Sequence, residues 1–187
     1  MLNIVIPMAG LGSRFAKAGF SKPKPFIDVK GKTMIERVLD NLNIKNSKFT
    51  LLARKEHFLQ EEVVIKRIKN QYNCNFLTID HLTEGTACTL LYARKYIDKE
   101  LPLLIANSDQ IIDFDLKDFY KDCVSRKLDG SILTFKDEEM NPKWSFAKLN
   151  SNNFVSQVRE KIPISNMATV GIYLFSKAEY FFDAAID

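Results

Sequence analysis

Apolar residues are distributed along this chain in two alternating rhythms. LNIVIP, residues 2–7, is a continuous apolar run closed by a proline, the pattern of a buried strand. Met34, Ile35, Val38, Leu39 and Leu42 then recur at helical spacing, with Glu36, Arg37, Asp40 and Asn41 between them, which predicts a helix from about Thr33 to Leu42. The alternation repeats. KFTLLAR reads as a second strand, Gln60 to Tyr72 as a lysine-rich surface helix, and CNFLTI as a third strand. Thr86 to Ile97 reads as a helix with Leu90, Ala93 and Ile97 inward, and LPLLIA as a fourth, central strand. Leu116, Phe119, Tyr120, Cys123 and Val124 mark one more helix, and DGSILTF a fifth strand. Such repetition predicts an α/β fold, a Rossmann-like and mainly parallel sheet with helices on both faces. Beyond Phe135, FAKL, FVSQVRE and MATVGIYLF follow one another with only turns between, which predicts a mixed or antiparallel extension. SKAEYFFDAAID reads as a closing helix, and its abrupt end suggests a fragment of a longer protein.

Composition narrows the class. A chain of 187 residues suits one domain, 1–187, and 46% hydrophobic with 27% charged residues is ordinary for a soluble protein. The net charge of +4, from 27 basic and 23 acidic residues, is too small and diffuse for nucleic acid and better suits small phosphorylated ligands. Cys74, Cys88 and Cys123 have neither zinc nor disulfide spacing, and two histidines, His57 and His81, exclude a histidine-rich metal site. No apolar run is long enough to span a membrane, and the first is too short for a signal peptide. The expectation is a cytoplasmic protein without nucleic-acid or membrane partners.

Candidate chemistry begins where the first strand ends, in MAGLGSRF. Gly10 and Gly12 allow close approach of the backbone to a ligand, and the loop Ala9, Gly10, Leu11, Gly12, Ser13 can turn a row of N–H groups towards an anion. Glycines after a strand also serve plain tight turns. Arg14, a permanent cation with a fork of donors, and the lysines downstream favour phosphate. Two familiar phosphate loops do not fit. GxxxxGK[ST] is absent, and GxGxxG fails because Phe15 stands at the third glycine, while Arg54 and Lys55 replace the acid that would hold a ribose.

The longer combination, MAGLGSRF followed by SKPKPFIDVKGKTMIERVLDNL, resembles the nucleotidyltransferase superfamily, that of NDP-sugar pyrophosphorylases and related cytidylyltransferases. Gly10, Gly12 and Arg14 match the first motif. Lys24, Pro25, Gly31, Lys32, Met34 and Ile35 match the second, with Thr33 where proline is usual. EGTA at 84–87, NSD at 107–109, VREK at 158–161 and TVGIYLF at 169–175 extend the resemblance along the chain.

The resemblance implies transfer of a nucleotidyl group from an NTP to a phosphorylated acceptor, commonly a sugar 1-phosphate, with release of pyrophosphate. Alternatives within it are a cytidylyltransferase acting on an alcohol phosphate or phosphocholine, and a regulatory module that binds nucleotide sugars without turnover. It gives the triphosphate to the first loop and Arg14, the α-phosphate to Lys24, and the base pocket to Gly85 and Thr86. It gives the acceptor to Glu160, Lys161, Thr169 and Gly171. Asp109, at the end of a central strand, becomes the ligand of a Mg²⁺ cofactor. Asp80 stands where the family often has glutamine, and a second acidic metal ligand is not found before residue 187. Lys22 reads as a solvated lysine, His81 as a loop residue, Asp113 and Asp115 as turn and cap residues, and Trp144 as packing.

Overall fold

The computed structural model describes residues 1–186. Strand β1 (Leu2–Pro7) leads through a one-turn helix α1 (Ser13–Lys17) and a 3-10 turn at Lys24–Phe26 to a short hairpin, β2 (Asp28–Val29) and β3 (Lys32–Thr33), and then to α2 (Met34–Leu42). Next come β4 (Ser47–Arg54), α3 (Lys55–Gln60), α4 (Glu62–Gln71), β5 (Cys74–Ile79), α5 (Thr86–Leu91), β6 (Leu103–Ala106) and α6 (Leu116–Ser125). The chain finishes with β7 (Gly130–Lys136), β8 (Ser145–Leu149), β9 (Val155–Glu160), β10 (Met167–Phe175) and α7 (Ala178–Ala184).

One eight-stranded sheet organises these elements. β5, β4, β1 and β6 are neighbours in that order and every pair is parallel. Their side chains alternate between two apolar clusters. Ile4, Ile6, Phe49, Leu51 and Leu104 face α2, α4 and α6, whereas Val5, Leu52, Leu103 and Ile105 face the layer of α5 and α7. A strand buried on both faces needs near-continuous apolar character, which is why the runs of β1 and β6 stand out, whereas β5 at the sheet edge leaves Asn75 and Thr78 exposed. Among the described residues no helix is long and apolar enough to cross a membrane.

The antiparallel part starts one strand earlier than predicted. β7 pairs with β10 and not with the parallel strands, because β10 inserts beside β6. By the pairings, only β9 and β10 run against the rest. Two helices also differ from prediction. The one predicted over 60–72 is α4, which begins at Glu62, and a further helix, α3, that was not predicted precedes it and is parted from it at Glu61. The one predicted over 86–97 ends as α5 at Leu91, and the chain then continues in i→i−3 bonds such as Ala93 N–H to Leu90 O at 2.9 Å. Ala93 and Ile97 are nonetheless buried as expected.

α2 is anchored from its first residue. Thr33 forms a capping box with Glu36, a bond that a proline at 33 could not supply. Met34 N–H donates to Ile27 O at 2.9 Å, tying α2 to the segment that carries Lys24. Arg67 from α4 makes a forked pair of bonds to Glu36 at 2.7 and 2.8 Å. Burial works to raise the Glu36 pKa, but the bonds from Arg67 and Thr33 outweigh it and hold the carboxyl below its ordinary value. A carboxyl depressed on folding stabilises the fold above its unfolded pKa, and that stability is lost as pH falls through the folded value. Glu36→Gln is therefore expected to cost about 1–3 kcal/mol at neutral pH and to flatten the acid side of the stability curve from about pH 5 downwards. Thermal denaturation across that range checks this. A constant offset at every pH would show that Glu36 carries none of the acid dependence.

Candidate active site

The chain leaves β1 towards β4 on one side, while β6 lies on its other side, so the direction of winding reverses between β1 and β6. The loops that follow two such strands part, and a crevice opens at their carboxyl ends. A cleft of about 430 Å³ occupies that place. Ala9, Gly10 and Gly12 form one wall, and Lys24 with Pro25 another. Thr83, Gly85, Thr86 and Thr89 form a third, with Asn107, Ser108 and Asp109 below them.

Ala9, Gly10 and Gly12 of the glycine loop line this space, and the loop has unused donors. Met8 N–H still bonds to Leu52 O at 2.8 Å, but the N–H groups from Ala9 to Ser13 find no acceptor among the described residues. Gly12 is left-handed at φ 59°, and a Cβ there would lie 3.2 Å from the Cβ of Lys24. Backbone and lysine can approach this closely only because the side chain is missing. Phe15, the residue that breaks the dinucleotide fingerprint, carries the Lys24 ammonium 5.4 Å above its ring. Lys24 reaches across the cleft to an ion pair with Asp109, and both side chains are about a quarter to a third exposed, at 26% and 34%.

Opposite, Gly85 opens α5. The hydroxyls of Thr83 and Thr89 meet at 2.5 Å and lie 3.3 and 3.2 Å from Gly85 O, bracing its turn. Sequence reasoning misses both threonines. The available signal was their placement on either side of EGT, at a distance that one helical turn closes. Met8, Asn107 and Ser108 also line the cleft without having been assigned a task.

Seven of the residues expected from sequence therefore meet here: Ala9, Gly10, Gly12, Lys24, Gly85, Thr86 and Asp109. Leu11, Ser13 and Arg14 are exposed and stand off the lining. Glu160 and Lys161, at the end of β9, pair with each other at 3.0 Å and are 76% and 62% exposed. Thr169 is buried opposite Thr134, and Gly171 is left-handed at φ 76°. None of these four lines the cleft. Lys22 lies 3.5 Å from the buried carboxylate of Glu61. His81 bonds the Tyr92 hydroxyl at 3.0 Å, Asp115 caps α6, and Trp144 packs edge-on against Phe135 at 5.3 Å.

Among the described residues no group of three or more His, Cys, Asp or Glu could hold a metal ion. Asp109 is the single carboxylate among the described residues that line the cleft, which suits a hard cation that completes its shell with phosphate oxygens and water, not an all-protein cage.

The fold is that of the nucleotide-diphospho-sugar transferases, a mixed and mainly parallel sheet between helices. The family model for nucleotidyl transferases matches residues 4–186, and the chain belongs to that family. It is similar to the bifunctional protein GlmU of Methanocaldococcus jannaschii, 28% identical over 181 residues that make 94% of this chain and 40% of the relative. It is similar also to the catalytic subunit beta of mannose-1-phosphate guanylyltransferase from Drosophila melanogaster, 27% identical over 92% of this chain and 47% of the relative. The first of these curated relatives are thus spanned over only about 40% of their length. Among solved structures, a nucleoside-diphosphate-sugar pyrophosphorylase from Vibrio cholerae RC9 superposes with a TM-score of 0.76 at 27% identity, covering 97% of this chain and 76% of that one.

The contact between Gly12 and Lys24 has a direct test. Gly12→Ala places a methyl group in the left-handed region and against the lysine, and is expected to cost about 1–2 kcal/mol of stability and to weaken nucleotide binding. Chemical denaturation and nucleotide titration of the variant measure both. Unchanged nucleotide affinity would show that the loop and Lys24 do not need this close approach.

Proposed function

We propose that the protein transfers a nucleotidyl group from a nucleoside triphosphate to a phosphorylated acceptor, a sugar 1-phosphate foremost, and releases pyrophosphate. The observation that carries this reading is the meeting of Lys24 and Asp109 in a cleft lined by Ala9, Gly10 and Gly12, whose N–H groups are unpaired among the described residues. The names of the similar proteins, a mannose-1-phosphate guanylyltransferase and a nucleoside-diphosphate-sugar pyrophosphorylase, support the choice of acceptor.

In this reading the N–H groups of Ala9 to Ser13 receive the phosphate chain, and Arg14 turns inward onto the departing pyrophosphate. Lys24 meets the charge that grows on the α-phosphate. Gly85 and Thr86 lie against the base. Mg²⁺, held by Asp109 and phosphate oxygens, supplies further neutralisation of phosphate charge when bound. An acceptor phosphate oxygen forms a bond to the α-phosphorus as the bond to pyrophosphate breaks. Because the attacking phosphate is already ionised, catalysis needs positioning and charge rather than a strong base. Ala168 of β10 pairs with β8, whereas Ile172 to Phe175 pair with β6, so the β8–β9 ribbon stands beyond the carboxyl end of β6. Glu160, Lys161, Thr169 and Gly171 belong to that side, where the acceptor would enter.

Pyrophosphate release, measured for each of the four nucleoside triphosphates against a panel of phosphorylated acceptors, tests the whole reading. Release with alcohol phosphates alone would move it to the cytidylyltransferase alternative, and binding without release to the regulatory one.

Lys24 and Asp109 neutralise each other while no ligand is present, so an incoming metal and triphosphate must part them. Lys24→Met is therefore expected to lower turnover by about a hundredfold or more, with little change in melting temperature. It should also tighten binding of Mn²⁺ alone, since the competing ammonium is gone. An electron paramagnetic resonance titration of Mn²⁺ reads the second effect, and affinity equal to the parent's would show that the pair does not guard the carboxylate.

Asp109→Asn separates a metal role from a turn role. As a metal ligand its loss should abolish Mg²⁺-dependent turnover, while stability holds or falls slightly because Lys24 loses its ion partner. Asparagine would preserve a turn almost as well, so a Mg²⁺ titration that matches the parent's would sink the assignment.

A further inference from the structure

β10 loses its register at the height where β6 ends. Ile172 is opposite Ala106, the last residue of β6. On the other side of β10, Thr169 faces Thr134 but Tyr173 faces Ile132, so four steps on β10 (173 − 169) span two on β7 (134 − 132). The extra residues form a bulge, and Gly171 sits in it at φ 76°. A Cβ on Gly171 would lie 2.1 Å from Asn107 Nδ2 and 2.7 Å from Gln110 Oε1. Two amide side chains thus fill the place where residue 171 would carry its own, and they are bonded to each other, Asn107 Nδ2 donating to Gln110 Oε1 at 2.8 Å.

We propose that Asn107 and Gln110 are positioning residues that hold the Asp109 loop in place, and that Gly171 is bare because their amides occupy its side-chain space. The bond runs from residue i to i+3 and closes the turn whose inner members are Ser108 and Asp109. Ser108, one of those inner members, is buried at 9%. Downstream the chain has a separate anchor, a reciprocal pair between Asn41 of α2 and Ile112. Asn41 Nδ2 donates to Ile112 O and Ile112 N–H donates to Asn41 Oδ1, each at 2.9 Å. Loss of the Asn107–Gln110 bond therefore loosens residues 107–111 without freeing the chain from Ile112 onwards. Partners that orient a metal-binding side chain from behind contribute to affinity without touching the ion. Gly171 acquires a task different from acceptor contact. The inference rests on the reading of Asp109 as the carboxylate that meets metal and phosphate.

Hydrogen exchange on the ligand-free protein, with Gln110→Ala and Gln110→Glu beside the parent, tests the brace without any ligand. Glutamate keeps an oxygen for the Asn107 donor and alanine does not. Gln110→Ala is expected to speed exchange in residues 107–111 by about fivefold, with the rest of the sheet unaffected, while Gln110→Glu stays at the parent rate. Gly171→Ala should open the same segment, whereas a glycine that serves only the acceptor would leave it protected. In a Mn²⁺ titration of the nucleotide complex, Gln110→Ala should lose about tenfold in metal affinity. Exchange unchanged by Gln110→Ala, or raised equally by both Gln110 variants, overturns the brace. A brace whose loss leaves Mn²⁺ affinity intact overturns the positioning role. If the parent itself takes up no Mn²⁺ with nucleotide, the reading of Asp109 falls and the positioning role falls with it.

Discussion

The parallel pairing of β1 with β6, in register from Asn3 opposite Leu103 to Val5 opposite Ile105, brings the loops after Pro7 and Ala106 to one edge of the sheet. Everything at the cleft depends on that adjacency. The glycine loop, the Lys24 turn and the Asp109 loop are separated by up to about a hundred residues of chain, and no local preference could assemble them. Burial does it. Ile4 and Leu104 on one face and Val5 and Ile105 on the other have almost no exposure, so a slip of β1 against β6 by one residue would turn every one of them to the wrong layer. The price of placing charged groups in the crevice is met by apolar side chains that never touch it.

Within the crevice the protein balances charge before any ligand arrives. Lys24 lies over Phe15 and against Asp109, so neither ion is left facing a half-buried surface alone. The unsatisfied groups are instead main-chain donors, which carry no net charge. That arrangement keeps the empty site stable and still leaves a strong preference for an anion. Thr83 and Thr89 do comparable work across the cleft, giving a glycine turn a defined shape through hydroxyl contacts to its carbonyl.

Strands buried on both faces are legible because continuous apolar runs are rare outside such positions, and β1, β4 and β6 fall where the pattern puts them, as does the edge strand β5. The meeting of Ala9, Gly10, Gly12, Lys24, Gly85 and Asp109 in one cleft was legible through the family resemblance carried by MAGLGSRF, SKPKPF, EGTA and NSD, with the strand-end position of Asp109 as independent support. Other features depend on partners far away in the chain. β7 gives no internal sign that it will join β10, and the bulge at Gly171 exists only relative to β7 and β6. The break at Glu61 coincides with a buried carboxylate 3.5 Å from Lys22, a partner far earlier in the chain. Glu160 and Lys161 have the right identity for a site, but a charged pair at a strand end carries no information about which way it faces.

The three thiols differ sharply in setting. Cys123 is buried, and burial pushes the half-buried Cys74 thiol up to about 11. Cys88 is exposed on α5, two residues after Thr86. A thiol reactive only as its thiolate, and only where reagent can reach it, makes these sites unequal targets. One turn of helix thus supplies a natural attachment point for a fluorophore beside the mouth of the cleft, with the native cysteines elsewhere left unlabelled, so occupancy of the crevice can be followed optically without engineering the chain.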